Sequence, residues 1–97
     1  MEFIENIGEK SIHDVAMEID YKLIKFTKEG EFSMVRRLNK DTIYPRFHLY
    51  GKRLNGHTIF KLHLDRVKPW NTTDLDHNRE YHGKEVVVEV ERIKSII

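Results

Sequence analysis

The chain has 97 residues, the length of one small domain, which buries about two-thirds of the surface that its unfolded chain exposes. Its 17 Lys and Arg against 16 Asp and Glu give a net charge of +1, so any surface that attracts nucleic acid has to be a local basic patch. The absence of cysteine excludes disulfides, thiolate metal sites and cysteine nucleophiles. Neither a secretion signal nor a run of about 18 apolar residues is present, which predicts a soluble, cytoplasmic protein without membrane attachment.

The first periodic pattern predicts a helix over residues 12–28, after an N-terminal extension of residues 1–10. Ser11 is a suitable N-cap, with Asp14 completing a shortened capping box, and Gly30 fits the left-handed position that often ends a helix. The apolar residues recur at steps of three and four, as on one helical stripe: Ile12, Val15, Ala16, Ile19, Leu23 and Phe26.

Residues 31–38, "EFSMVRRL", predict a strand, because the segment is short, follows the helix stop and precedes the polar turn "NKDT". A competing interpretation pairs "YKLIKF", residues 21–26, with "FSMVRRL" as a hairpin around "KEGE". This second interpretation would leave only two turns of the preceding helix.

The strongest local signal is Asn55-Gly56, which separates two alternating segments and predicts a hairpin with a type I′ turn. Leu54 facing His57 sets the register. That register places the apolar residues of both strands on one face: Phe47, Leu49, Phe60, Leu62 and Leu64. A slip by one residue would send one strand's apolar set to the opposite face, so the pattern itself supports this register.

The same register places a polar set on the other face of the hairpin: Arg46, His48, Tyr50, Lys61, His63 and Asp65. His48 directly faces His63, and directly opposed residues have Cβ atoms about 4.5–5.5 Å apart. We therefore expect these two histidines to touch. Asp65 is a diagonal neighbour of His48, at about 7–8 Å.

The C-terminal part of the chain begins with residues 67–84, which have no regular period and predict a long loop of the kind that is often functional. The loop contains His77 and His82. Residues 85–97 predict a helix from the stripe Val86, Val90, Ile93 and Ile97. The alternation of Val and Glu in the same segment leaves a fourth strand as the alternative.

These elements predict a single α+β domain, with a helix-strand-strand-strand-helix order and a three-stranded antiparallel sheet whose apolar face carries both helices. The order resembles the double-stranded RNA-binding domain and, more closely, the HicA family of small messenger-RNA-cleaving toxins. The segments "YPRFHLY", "LHLD" and "EYHG" are also similar to those of a set of small prokaryotic proteins. The HicA resemblance implies one catalytic histidine on the sheet and an antitoxin protein as partner.

The polar face predicts RNA binding or cleavage as its first function, without a cofactor. In this interpretation the catalytic groups are His48, His63 and Asp65, because imidazoles exchange protons near neutral pH. The side chains expected to contact phosphates and bases are Arg46, Tyr50, Lys52, Arg53 and Lys61.

Two alternatives remain open for the same face. One is a site for Zn²⁺ or another divalent metal, serving hydrolysis through a bound water, with ligands from His48, His63, Asp65, His77 and His82. The other is a module without chemistry, in which Arg46 and Asp65 form an ordinary ion pair. Such a module would bind a partner protein or associate with itself through a sheet edge.

Overall fold

The computed structural model describes residues 1–66 and 79–97, which form two α-helices and one antiparallel sheet. The elements in chain order are β1 (Glu2–Glu5), α1 (Ile12–Glu18), β2 (Lys22–Phe26), β3 (Glu31–Arg37), β4 (Arg46–Leu54), β5 (His57–Asp65), β6 (Arg79–Glu80) and α2 (Lys84–Ile96). The strand order is β1-β5-β4-β3-β2, and β6 also pairs with β5. The α+β class is confirmed, but the expected three-stranded sheet and helix-first order are wrong, because additional strands precede and follow α1.

The hairpin of β4 and β5 has the predicted register along its whole length, from Arg46 facing Asp65 to Leu54 facing His57. Gly56 has a φ of +81°, the left-handed conformation that the tight turn requires. The five residues predicted for the apolar face of this hairpin are all buried. Turn chemistry and side-chain alternation therefore specify the same register.

Both helices pack on this apolar face of the sheet, as predicted. The core contains the inward residues of α1 and α2: Ile12, Val15, Ala16, Val86, Val90 and Ile93. In the described part of the chain, the opposite face, which we call the polar face, carries no helix. No helix among the described residues is long and apolar enough to span a membrane.

The first helix ends at Glu18, ten residues before its predicted end. Asp20 has a φ of +67° and occupies the left-handed position after the helix, which glycine usually takes. Its N–H donates to the Met17 carbonyl at 3.3 Å, and the Tyr21 N–H donates to the Ala16 carbonyl at 2.8 Å. These two bonds form a Schellman motif, which satisfies the last carbonyls of the helix without glycine.

The residues after this helix end form β2, which pairs with β3 in an antiparallel hairpin. The competing interpretation, a hairpin of residues 21–26 with the following strand, is therefore the correct one. Gly30, with a φ of +89°, lies in its turn and not at a helix terminus. Phe26, expected on the buried helical stripe, is 50% exposed on this strand. Segment 21–26 is rich in aromatic and β-branched residues, which favour a strand when β3 is available for antiparallel pairing.

The first ten residues are not an extension. β1 pairs with β5, and Phe3 stacks on Phe60 with ring centroids 5.0 Å apart. Ile7 is also buried in the core. The N-terminal strand therefore contributes both backbone pairing and apolar surface to the fold.

The C-terminal segment forms the helix α2, so the alternative of a fourth strand at residues 85–97 is wrong. Of the predicted loop 67–84, Arg79 and Glu80 form β6, which pairs with the end of β5, and α2 begins at Lys84. Residues 67–78 lie outside the described residues, and the prediction for that part of the loop is untested.

Candidate functional site on the polar sheet face

The two histidines of the hairpin touch, as the register predicts. His48 on β4 and His63 on β5 are direct cross-strand partners, and their rings meet edge to face at 88° with centroids 4.8 Å apart. His48 Nδ1 lies 3.2 Å from His63 Nε2, within hydrogen-bond distance. The strand pairing therefore holds two imidazoles with one nitrogen of each directed at the other.

Asp65 completes a cluster with these histidines. Its Oδ1 lies 2.9 Å from His63 Nε2, and its Oδ2 lies 3.9 Å from Arg46 Nε. His63 is 3% exposed and Asp65 is 4% exposed, whereas His48 is half-buried. The carboxylate thus lies against an imidazole, with the guanidinium at the outer limit of an ion pair.

Ser33 on β3 is the member of this site that the sequence analysis missed. Its hydroxyl lies 2.6 Å from His48 Nε2. The flanking residues Phe32 and Met34 are buried in the core, so the period of two places Ser33 on the polar face. The alternation was visible in the sequence, but nothing in segment 38–45 predicted the register between β3 and β4, so the contact with His48 was not expected. We call Ser33, His48, His63 and Asp65 the histidine cluster.

The hydrogen-bond partners indicate where the ring protons reside. Both nitrogens of His48 have partners within the cluster. His63 Nδ1 is buried and has no hydrogen-bond partner in the described part of the chain. A buried N–H without an acceptor is costly, so the neutral ring of His63 carries its proton on Nε2, next to Asp65 and His48.

Two tyrosines surround the imidazoles. The Tyr50 ring lies 5.1 Å from His48 and 5.5 Å from His63, measured between centroids. The Tyr81 ring lies 5.6 Å from His63. The more exposed of the two histidines, His48, therefore lies beside a half-buried aromatic ring that faces the same side of the sheet.

Two adjoining grooves follow the polar face and its edge. The central groove, of about 610 Å³, is lined by Ser33, His48 and Tyr50 together with three lysines, Lys25, Lys52 and Lys61. The second groove, of about 640 Å³, is lined by five cations, Lys22, Arg36, Arg37, Lys40 and Arg46. The acidic side chains that line them are Glu2, Glu31 and Asp20. Of the eight cations, Arg36 and Arg46 also contact Glu89 and Asp65, and the remaining six outnumber the three acids of the lining. We call this local basic patch the basic grooves.

The structure brings together four of the five residues predicted to contact nucleic acid. Tyr50, Lys52 and Lys61 line the central groove, and Arg46 lines the second one. Arg53 is separated from them, because its side chain donates to the carbonyls of Lys10 at 2.7 Å and Gly8 at 3.1 Å. Arg53 therefore anchors the segment between β1 and α1.

The residues predicted as metal ligands are only partly assembled. His48, His63 and Asp65 each offer one ligand atom, and these atoms lie within 4.8 Å of one another. His82 is exposed and lines a smaller pocket that shares Tyr50 and Lys61 with the central groove, outside this convergent group. His77 lies outside the described residues. The described chain thus supplies three N and O donors at one point.

A second polar cluster lies on the helix side of the sheet, around Glu89 of α2, which is 4% exposed. The Tyr21 hydroxyl donates to Glu89 Oε2 at 2.6 Å, and Arg92 donates to both carboxylate oxygens at 2.8 and 3.0 Å. Arg36 adds a contact at 3.5 Å. Burial, followed by the charge of Glu89, raises the pKa of Tyr21 well above its usual range. We call these four residues the Glu89 cluster.

The fold and the site define a small α+β protein whose open sheet face carries a basic surface and a cluster of histidines with a carboxylate. No protein family, no curated protein and no solved structure matches this chain. Its function is therefore inferred from the geometry and charge of the polar face.

Proposed function

We propose that the protein binds single-stranded RNA along its polar sheet face. The observation that carries this proposal is the concentration of cationic side chains on two adjoining grooves of a chain whose net charge is only +1. Six of them lie outside the ion pairs that Arg36 and Arg46 form with Glu89 and Asp65: Lys22, Lys25, Arg37, Lys40, Lys52 and Lys61. Lysine and arginine that neutralise phosphates release condensed counterions, which supplies most of the affinity of sequence-independent binding. A chain of nearly balanced charge with a local basic surface thus has a defined place for a polyanion.

The two grooves are close enough to bind one strand. Val35 lines the second groove, and its direct cross-strand partner on β4 is His48, which lines the central groove. The grooves therefore meet at β3 and β4. A nucleic-acid backbone that follows them would pass from the cations near Arg46 to the lysines near Lys61, over the histidine cluster.

The middle of this path offers groups suited to an unpaired nucleotide. Tyr50 is half-buried and lines the central groove, where a base can stack on its ring, an interaction worth about 1–3 kcal/mol per base. Ser33 also lines this groove, and its hydroxyl oxygen has a second lone pair that can accept a hydrogen bond besides its contact with His48. A ribose 2′-hydroxyl is the group that distinguishes RNA from DNA for such partners.

The test is fluorescence anisotropy with a labelled single-stranded RNA of 12 nucleotides, titrated at several salt concentrations. We expect binding at low salt and an affinity that falls linearly with salt on logarithmic axes, with a slope of about −0.7 for each phosphate contacted. The double variant Lys52→Glu and Lys61→Glu should weaken binding about tenfold or more. Electrophoresis of the same mixtures detects cleavage of the RNA. Titration with DNA of the same sequence measures how much the 2′-hydroxyl contributes to the affinity.

The matched control is Lys94→Glu, which reverses an exposed lysine on α2, the helix on the other side of the sheet. Its affinity for RNA should stay within about twofold of the wild type. Absence of binding at the lowest salt would refute the proposal, and so would an equal loss in the Lys94 variant and the double variant.

A further inference from the structure

We propose that His48, His63 and Asp65 bind one divalent transition-metal ion of the zinc class. His48 Nδ1 lies 3.2 Å from His63 Nε2, which lies 2.9 Å from Asp65 Oδ1. A tetrahedral site with bonds of about 2.1 Å has ligand atoms about 3.4 Å apart. Two of the three separations are therefore already near those of a metal site, and all three ligand atoms lie within 4.8 Å of one another.

The donor set selects the kind of ion. Two imidazole nitrogens and one carboxylate oxygen suit zinc and similar first-row ions, whereas magnesium and calcium prefer oxygen ligands only. Three protein ligands also leave at least one coordination position for another molecule, as catalytic zinc sites do and structural ones do not. His48 is the ligand that lines the central groove, so a molecule in that groove approaches the ion from the side of His48.

Ser33 orients the first of these ligands. The histidines that bind metals usually direct their second ring nitrogen to a hydrogen-bond partner, which fixes the tautomer and the ring orientation. Ser33 Oγ, 2.6 Å from His48 Nε2, is such a partner and leaves the Nδ1 lone pair for the ion. Ser33 on β3, His48 on β4 and the other two ligands on β5 lie on paired strands, so the backbone sheet holds the ligands in place.

Two features lower the affinity of this site without removing it. Coordination through Nε2 moves the proton of His63 to Nδ1, which has no acceptor among residues 1–66 and 79–97. Arg46 also lies 3.9 Å from the Asp65 carboxylate and competes with the ion for it. We therefore assign a site of moderate affinity, whose open position is available to a phosphate oxygen. The binding of a phosphate oxygen to the ion rests on the proposed RNA binding, whereas binding of the ion itself does not.

The experiment uses the full chain without an affinity tag, freed of metal by dialysis. Calorimetric titration with Zn²⁺ should give one ion per chain, and titration with Co²⁺ should give the visible absorption of a low-symmetry site with nitrogen and oxygen ligands. The variant His48→Ala should weaken Zn²⁺ binding more than tenfold. The control His57→Ala, which removes an exposed histidine at the hairpin turn, should bind like the wild type.

The variant Ser33→Ala retains all three ligands and should still bind one ion, about 10–100-fold more weakly, because His48 loses its orienting partner. If His48→Ala does not fold, this variant still tests whether the histidine cluster binds the ion. No Zn²⁺ binding by the wild type, or equal binding by the wild type, His48→Ala and Ser33→Ala, would overturn the proposal. Anisotropy with the metal-free protein tests RNA binding separately, so that either proposal can fail without the other.

Discussion

The protein contains two polar clusters on opposite sides of one sheet, each built around a buried carboxylate that is 4% exposed. In the Glu89 cluster, both carboxylate oxygens accept strong hydrogen bonds from Tyr21 and Arg92. In the histidine cluster, Asp65 lies between an imidazole and a guanidinium 3.9 Å away, and His63 Nδ1 has no partner in the described part of the chain. A buried carboxylate that accepts several charge-assisted hydrogen bonds stabilises the fold, whereas imidazoles with a ring nitrogen that has no partner are candidates for binding another group.

The Glu89 cluster also connects distant parts of the chain. Arg92 donates to the carbonyl of Ile19, next to the end of α1, and Tyr21 precedes β2. The carboxylate therefore fixes α2 against the junction at which the chain changes from helix to strand. The histidine cluster joins neighbouring strands that backbone hydrogen bonds already hold together. We accordingly expect the first cluster to determine stability and the second to determine binding.

The largest expected effect is that of Arg92→Ala, which removes two donors from the buried Glu89 carboxylate. Breaking one side of a buried pair costs about 3–5 kcal/mol, and we expect a loss near the lower end because Tyr21 and Arg36 remain. Urea denaturation followed by circular dichroism measures the free energy of unfolding. The double variant Arg92→Leu and Glu89→Leu should recover part of the loss. A loss below about 1 kcal/mol for Arg92→Ala would show that the Glu89 cluster is not structural.

The next effect is that of Tyr21→Phe, which deletes one hydrogen bond to the charged carboxylate and changes little else. Hydrogen bonds to charged groups contribute about 1.5–3 kcal/mol, so the variant should be destabilised by that amount near neutral pH. Tyr81→Phe is the control, since Tyr81 is exposed and lies outside the Glu89 cluster. Equal stability of the two variants would contradict the assignment.

The pH dependence of the same variant has a definite sign. The pKa of Tyr21 is raised in the folded state, so its contribution is present below pH about 10, where the unfolded tyrosine is also protonated. Above that pH the unfolded state loses this proton first, and stability falls by about 1.4 kcal/mol per pH unit. Tyr21→Phe should therefore show a shallower alkaline decline than the wild type, measured by urea denaturation between pH 8 and about 11. Parallel declines would contradict the raised pKa.

The smallest expected effect on stability is that of the double variant His63→Leu and Asp65→Leu, which removes both members of this buried pair. Replacing both partners of a polar contact by apolar groups of similar size is often nearly neutral, so the free energy of unfolding should stay within about 1 kcal/mol of the wild type. Zn²⁺ binding should be lost in the same variant. A destabilisation as large as that of Arg92→Ala would show that the histidine cluster stabilises the fold as much as the Glu89 cluster does.

The sequence predicted the hairpin of β4 and β5 in full, because the Asn-Gly turn and the alternation of apolar residues specify one register. It therefore also predicted the contact between His48 and His63. The end of α1 was missed because Asp20 takes the left-handed position in which we expected glycine. Ser33 was missed because its contact with His48 depends on pairing between β3 and β4, which no turn signal specifies.

The strands at the sheet edges show the same limit. β1 is four residues long, and its sequence Glu-Phe-Ile-Glu lacks the alternation of a half-buried strand, so only its pairing with β5 identifies it. The segment of β2 matches a helical stripe as well as a strand, and pairing with β3 decides between the two. Local chemistry predicts elements that carry their own turn or cap, while tertiary pairing determines the others.

The central claim is that the polar sheet face is the binding surface, and the most direct measurement is NMR chemical-shift mapping. The ¹⁵N-labelled protein is titrated with a short single-stranded RNA at low salt. We predict that the shifted amides lie on β3, β4 and β5, around Ser33, Tyr50 and Lys61, while those of α2 stay unchanged. Shifts confined to α1 and α2, or no shifts at all, would contradict the account.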